Sequence, residues 1–323
     1  MNLMDRLDPE LVPALEQFME VTGGGFDLND IPAMRAMIDA MIASIKVDVP
    51  AIGGVETEDV SVPGPDGAPD VAIRIYRPVD RHETLPALLW LHGGGYVLGG
   101  IELDDLMARQ LAKDVNAIIV SVEYRLAPEN PFPAPMEDCY AALKWLFANA
   151  AAQRIDASRI AVGGASAGGG MAAGLALMAR DRGELKPAFQ LLIYPALNDR
   201  NSAPASDSVA DSLWWTRANN LHAWSAYLGA APGGADVSEY AAPSRATDLQ
   251  GLPPAHISVG EIDLFCADNI EYAQRLNDAG IATSLHVYPG ACHAIDVFAP
   301  MSALSQRLVS ERNDVIRQAL QTE

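Results

Sequence analysis

Basic residues are scarce in this chain of 323 residues: 22 Lys and Arg stand against 42 Asp and Glu, a formal net charge of −20. A surface that acidic repels phosphate backbones and anionic headgroups, which argues against nucleic-acid and membrane partners. Its plain meaning is solubility. Cysteine is scarcer still. Cys139, Cys266 and Cys292 are odd in number and form no C-x-x-C pair, so the sequence offers neither a disulfide framework nor a zinc site. That usage suits a reducing compartment. No stretch of about 18 uncharged apolar residues occurs, which speaks against a spanning helix. The first residues also lack the basic start, apolar run and small-residue cleavage site of a signal peptide. The expectation is a cytoplasmic protein. Internal repeats and low-complexity tracts are likewise missing.

Hydrophobic residues make up half of the chain, ample for a sizeable core. From about residue 55, short apolar runs alternate with longer helical patterns. Runs at 55–62 and 71–76 flank the turn Pro63-Gly64-Pro65-Asp66-Gly67 and read as a hairpin-like pair of strands. Six more follow at 85–91, 117–123, 160–162, 189–194, 255–259 and 284–288, nearly all apolar and without alternation. Strands covered on both faces read that way. Helical segments lie between them, for example 138–149, where Tyr140, Leu143 and Phe147 share one face. Eight strands linked mostly by helices predict an α/β protein with a parallel, doubly covered sheet.

Two regions break the alternation. Residues 1–45 carry i, i+3, i+4 stripes (Leu11, Leu15, Phe18, then Met34, Met37, Ile38, Met41, Ile42) and predict helices ahead of the sheet. The methionine stripe reads equally well as helix packing and as substrate lining. Residues 197–229 open on a polar loop at 198–212 and continue through Trp214, Trp215 and Trp224, predicting a tryptophan-rich helix inserted over the sheet edge.

Chemistry concentrates at residues 160–170. Gly164-Ala165-Ser166-Ala167-Gly168 is G-x-S-x-G, placed between an apolar run and a helix of small residues. A strand–turn–helix of this kind forces the serine into a crowded backbone conformation, which the flanking glycines permit, and lifts its hydroxyl above the sheet. A helix-capping serine would suit the same letters, and so would a phosphate loop, but the latter lacks the G-K-[ST] ending. A serine nucleophile needs a base, an orienter for the base and donors for an oxyanion. In an open parallel sheet such groups sit at the carboxyl ends of strands. His256 opens a strand, His286 lies within one, His82 precedes one, His222 falls in the inserted helix, and His92 belongs to another motif. His293, in the loop after the last strand, is left to act as general base. The same rule selects Asp263, directly after the strand at 255–259, as orienter. Cys292, beside His293, lacks the setting that activates a thiol. For the oxyanion, Leu91-His92-Gly93-Gly94-Gly95-Tyr96 offers bare backbone at a strand end, and Ala167 follows the nucleophile. The glycine triplet alone does not choose between Gly93 and Gly95.

With H-G-G-G at 92–95, G-x-S-A-G-G at 164–169 and Tyr124-Arg125-Leu126-Ala127-Pro128-Glu129 in view, residues 50–320 resemble the hormone-sensitive-lipase family of carboxylesterases. Pro133-Ala134-Pro135 with Asp138, Gly260-Glu261-Ile262-Asp263 and Tyr288-Pro289-Gly290 add to the likeness. The resemblance implies an α/β-hydrolase: an eight-stranded, mostly parallel sheet, helices on both faces and a helical cap. The parse is then a cap segment over 1–45 and a catalytic domain over 46–323, with a cap insertion over about 197–229. The resemblance further implies hydrolysis of short- to medium-chain acyl esters, small-molecule substrates, no metal or organic cofactor, oxyanion N–H groups from Gly94, Gly95 and Ala167, and a homodimer. Position 165 is Ala where the family often carries Asp, Glu or Thr, and position 267 is Ala where it usually has a second acidic residue, so local support of the Asp263 loop falls to Asp268. Amide, thioester or lactone hydrolysis would use the same triad. A binding protein that kept the fold and lost catalysis would lack a triad member.

Overall fold

The computed structural model describes residues 6–48, 52–79, 83–200 and 214–321. His82 and most of the polar loop at 198–212 lie outside them. In chain order the elements are α1 (Val12–Val21), α2 (Ile31–Asp48), β1 (Val55–Val62), β2 (Val71–Pro78), β3 (Leu85–Leu91), α3 (Ile101–Val115), β4 (Ile118–Glu123) and α4 (Ala134–Asn149). There follow β5 (Ile155–Ala165), α5 (Ala167–Arg182), β6 (Gln190–Ile193), α6 (Arg217–Leu228), β7 (Ala255–Gly260), α7 (Cys266–Asp278), β8 (Thr283–Tyr288), α8 (Ile295–Phe298) and α9 (Ala303–Gln321).

The strands form one sheet in the order β1-β2-β4-β3-β5-β6-β7-β8. The hairpin expected at the start is there: β1 and β2 pair antiparallel, and β2 also runs antiparallel to β4. All later pairs are parallel. Strands β3, β6 and β7 are buried at every residue, which accounts for their unbroken apolar runs. Helices α3 and α9 pack together on one face, and α4 and α5 on the other. At the sheet's outer end β1 exposes Glu56, Glu58 and Asp59, and Asp59 meets Arg74 on β2 at 2.6 Å. No helix among the described residues is long and apolar enough to cross a membrane.

Two expectations need correction. Strand β5 begins at Ile155, ahead of the apolar run, through Asp156, Ser158 and Arg159. Ile155 pairs with Leu85 across a register irregularity, so the apolar signal starts only where regular pairing resumes. The inserted helix is also not tryptophan-rich. Thr216 caps α6, its side chain accepting the Asn219 N–H, so Trp214 and Trp215 lie ahead of the helix and only Trp224 lies on it.

The described part of the first 45 residues does form helices, α1 and α2, with Leu11, Leu15, Met34 and Ile38 buried in the core. Arg35 on α2 fastens this region below, donating to the Val97 and Ala127 carbonyls and pairing with Glu129. It also meets the segment around α6: the Asn219 side chain donates to the Phe26 carbonyl, and Trp214 packs edge-on against Phe18 and Phe26.

Candidate active site

Strand β5 ends at Ala165 and α5 begins at Ala167, leaving Ser166 alone in the turn with φ 55° and ψ −120°. A positive φ is crowded for any residue with a Cβ. The turn is that tight because neighbouring backbones nearly touch. A Cβ at Gly168 would lie 2.0 Å from the Leu91 carbonyl oxygen and 2.4 Å from that of His92. At Gly164 it would lie 2.4 Å from the Gly168 oxygen. Three backbone hydrogen bonds hold the serine: its N–H donates to Ile193, and its carbonyl accepts from Gly170 and Ala196.

Asp263 follows β7 directly, and His293 follows β8. Their loops approach closely, because a Cβ at Gly260 would lie 2.3 Å from the Ala291 carbonyl oxygen. His293 Nδ1 is 2.6 Å from Asp263 Oδ2, and His293 Nε2 is 2.9 Å from Ser166 Oγ. The second carboxylate oxygen of Asp263 accepts the Phe265 N–H at 2.9 Å. A carboxylate facing Nδ1 keeps the proton there and leaves Nε2 open to accept one. Asp263 and His293 are buried, whereas Ser166 is half-buried. Three rings surround the imidazole: Tyr194 at 4.8 Å, Phe265 at 5.0 Å and Trp214 at 5.6 Å between centroids.

The three residues selected from sequence thus stand in one hydrogen-bonded line. The other described histidines are elsewhere. His92 stacks on Tyr124 with its Nδ1 2.7 Å from the Gly93 oxygen, and burial lowers its pKa. His256 sits within β7, where burial, with His286 nearby, brings it to about 4. His286 pairs with Glu311 on α9, and His222 lies on α6. Burial pushes the Cys292 thiol up to about 12, so it offers no thiolate. Asp268 turns to Asn198, whose side chain donates to it at 2.9 Å. The Asp263 carboxylate is therefore steadied by the Phe265 N–H, not by Asp268.

Between β3 and α3 the chain passes Gly94 at φ 114° and Gly95 at φ 60°. Tyr124 donates to the His92 carbonyl at 2.7 Å and Arg125 pairs with Asp138 at 2.7 Å, so the Tyr124–Glu129 motif braces this loop from behind. A Cβ at Gly93 would lie 3.6 Å from Ser166 Cβ, so the loop runs beside Ser166. Among the described residues the N–H groups of Gly94, Gly95 and Ala167 have no protein acceptor. The Trp215 ring lies over Gly95, with Cη2 2.4 Å from where a Cβ would stand. No group of three or more His, Cys, Asp and Glu able to hold a metal occurs among the described residues.

Sequence reasoning missed the rings around His293. Tyr194 merely ended an apolar run, and nothing in the letters joins it or Trp214 to a residue 99 and 79 positions away. Tyr194 has φ 36° and donates its hydroxyl to Asp296 at 2.9 Å. Trp214 donates its indole N–H to the His293 carbonyl at 3.1 Å.

A family model described as alpha/beta hydrolase fold matches residues 88–297. The chain is 37% identical over 298 residues to the carboxylesterase NlhH of Mycobacterium tuberculosis, covering 90% of each. It is 31% identical to the ethyl acetate hydrolase of Pseudomonas putida, over 88% of this chain and 91% of that one. Among solved structures, a bacterial heroin esterase superposes with a TM-score of 0.94 at 43% identity, covering 99% of each chain.

Proposed function

The chain belongs to the α/β-hydrolase family, in its hormone-sensitive-lipase-like branch of serine carboxylic ester hydrolases, and from there we propose that it cleaves short- to medium-chain acyl esters through an acyl-enzyme on Ser166. The observation that carries this reading is the pair of contacts, 2.9 Å and 2.6 Å, running from Ser166 through His293 to Asp263. Ser166 Oγ attacks the ester carbonyl carbon while His293 Nε2 takes its proton. The carbonyl π electrons move onto oxygen, which accepts the N–H groups of Gly94, Gly95 and Ala167. Removing one such donor typically costs about 3–4 kcal/mol of transition-state stabilisation. When the tetrahedral adduct collapses, the C–O bond to the alcohol breaks and His293 returns the proton to the departing oxygen. Water then attacks the acyl-enzyme with His293 again as base, and the acid leaves. Asp263 stays ionised throughout and holds the tautomer.

We assign residues 1–45 and about 197–229 to a cap over the catalytic domain. Its Trp215 ring on Gly95 walls the reacting centre, which supports a short acyl chain, as does the name of the ethyl acetate hydrolase. A cytoplasmic location accords with three free thiols, and a homodimer with the family likeness. Hydrolysis of p-nitrophenyl esters of graded acyl length tests the reading. Wild type should turn over the shorter esters, and Ser166→Ala should fall to background. Activity surviving that substitution would remove Ser166 from the mechanism. Inactivity of both proteins would favour a fold that binds without catalysis.

A further inference from the structure

Two of the rings around His293 belong to the loops that end strands of the sheet: Tyr194 follows β6 and Phe265 follows β7. The third arrives from the cap and touches the base twice. Trp214 places its ring 5.6 Å from the imidazole and donates its N–H to the His293 carbonyl at 3.1 Å. No other described residue donates to that carbonyl. The next residue, Ala294, has φ 55°, so the chain turns sharply there, and the indole bond fixes the orientation of the peptide joining the two. The other sides of Trp214 meet Phe18 at 5.4 Å and Phe26 at 5.3 Å, with Trp215 beyond at 6.1 Å. The Gly25 backbone is tight against it as well, since a Cβ there would lie 3.2 Å from the Trp214 carbonyl oxygen. Helix α1, the Phe26 loop, the segment before α6 and the general base therefore converge on one buried side chain.

We propose that Trp214 is a positioning residue for His293 and that, through it, the seating of the cap is coupled to the readiness of the base. This rests on His293 being the base, as argued above. Proton transfer from Ser166 needs the imidazole held to within about half an ångström. A ring pinned at both nitrogens still moves with its own backbone, and Trp214 is what holds that backbone from the cap side. A tryptophan that only walls the pocket would act on substrate affinity. One that positions the base acts on turnover.

The test compares Trp214→Phe, which keeps an aromatic ring and removes the donor, with Phe18→Ala and the double variant. Each protein is assayed for kcat and KM on p-nitrophenyl acetate and for the rate at which a p-nitrophenyl alkylphosphonate modifies Ser166, per titrated active site. Trp214→Phe should lower kcat and the phosphonylation rate together by about five- to tenfold, the worth of one hydrogen bond, with KM within about twofold. Phe18→Ala should lower kcat about threefold, and the double variant should fall short of the product of the two losses. Unchanged kcat in Trp214→Phe, or a rise in KM alone, overturns the positioning role. Fully multiplicative losses overturn the coupling. Ser166→Ala keeps the two readings apart: if it retains activity, the triad itself has failed. If it is dead while Trp214→Phe equals wild type, only this proposal has.

Discussion

Ser166 and His293, the proposed nucleophile and base, stand 2.9 Å apart and are held by opposite means. Around Ser166 the work is done by backbone: three main-chain hydrogen bonds, and glycines at 164 and 168 packed against the carbonyls of Leu91, His92 and each other. Around His293 it is done by side chains: a carboxylate, an indole N–H and three rings. Backbone contact is all-or-nothing, because a Cβ either fits or forces strands apart. Side-chain contact is graded, and each group can be weakened by itself. The first region should therefore respond to substitution in folding and activity together, and the second in activity alone.

Asp263→Asn probes the graded side hardest. It should lower kcat about ten-thousandfold by presenting the wrong tautomer, with a nearly unchanged melting temperature. A large loss of stability in that variant would erase the distinction. Gly168→Ala, one methyl group on the other side, should lower melting temperature and activity together, because overpacking of this kind typically costs about 1–3 kcal/mol or more. Turnover near wild type would show that the turn can yield. Tyr194→Phe removes the hydroxyl that burial, with Asp296 beside it, keeps protonated and donating. Activity should fall several-fold, since one hydrogen bond is worth about 0.5–1.5 kcal/mol.

Asp199→Asn serves as a control outside both regions. Burial alone would raise the Asp199 carboxyl, but the Arg245 guanidinium and the Gly233 N–H outweigh it and hold its pKa below the ordinary value. A carboxyl so lowered lends stability above the unfolded pKa of about 3.9 and loses it as pH falls through the folded one. The variant should unfold more easily at pH 7, and its acid decline should be flatter, while kcat per folded molecule is unchanged. Smallest of all, iodoacetamide at pH 7.5 should leave activity intact, since burial pushes the Cys292 thiol next to His293 up to about 12. Loss of activity protected by substrate would mean that the His293 loop opens.

What the letters disclosed follows the same division. Strands such as β3, β6 and β7 were legible because covered strands must be apolar, β1 and β2 because of the turn between them, and Ser166 because its turn needs glycines at fixed spacing. Asp263 and His293 were legible because topology places chemistry at strand ends. The start of β5 was not, since Asp156, Ser158 and Arg159 fall between the Ile155 and Ile160 pairings and are not covered. The boundary at Trp215 could have been found from Thr216, three residues before Asn219, a helix cap that the tryptophans drew attention away from. The holders of His293 were out of reach. Tyr194 and Trp214 meet it only after the chain has closed on itself, and a ring's neighbour leaves no periodicity behind.

Among the described residues, strand β1 has a partner on one side only. A bare strand edge is a template on which another chain can add, and it is where many sheets begin to aggregate. Here the exposed positions along it include Glu56, Glu58 and Asp59, with no run of apolar residues between its buried ends. A second copy laid along that edge would bring like charges face to face. The hairpin that finishes the sheet thus also keeps crowded copies of the protein from zipping together at this end.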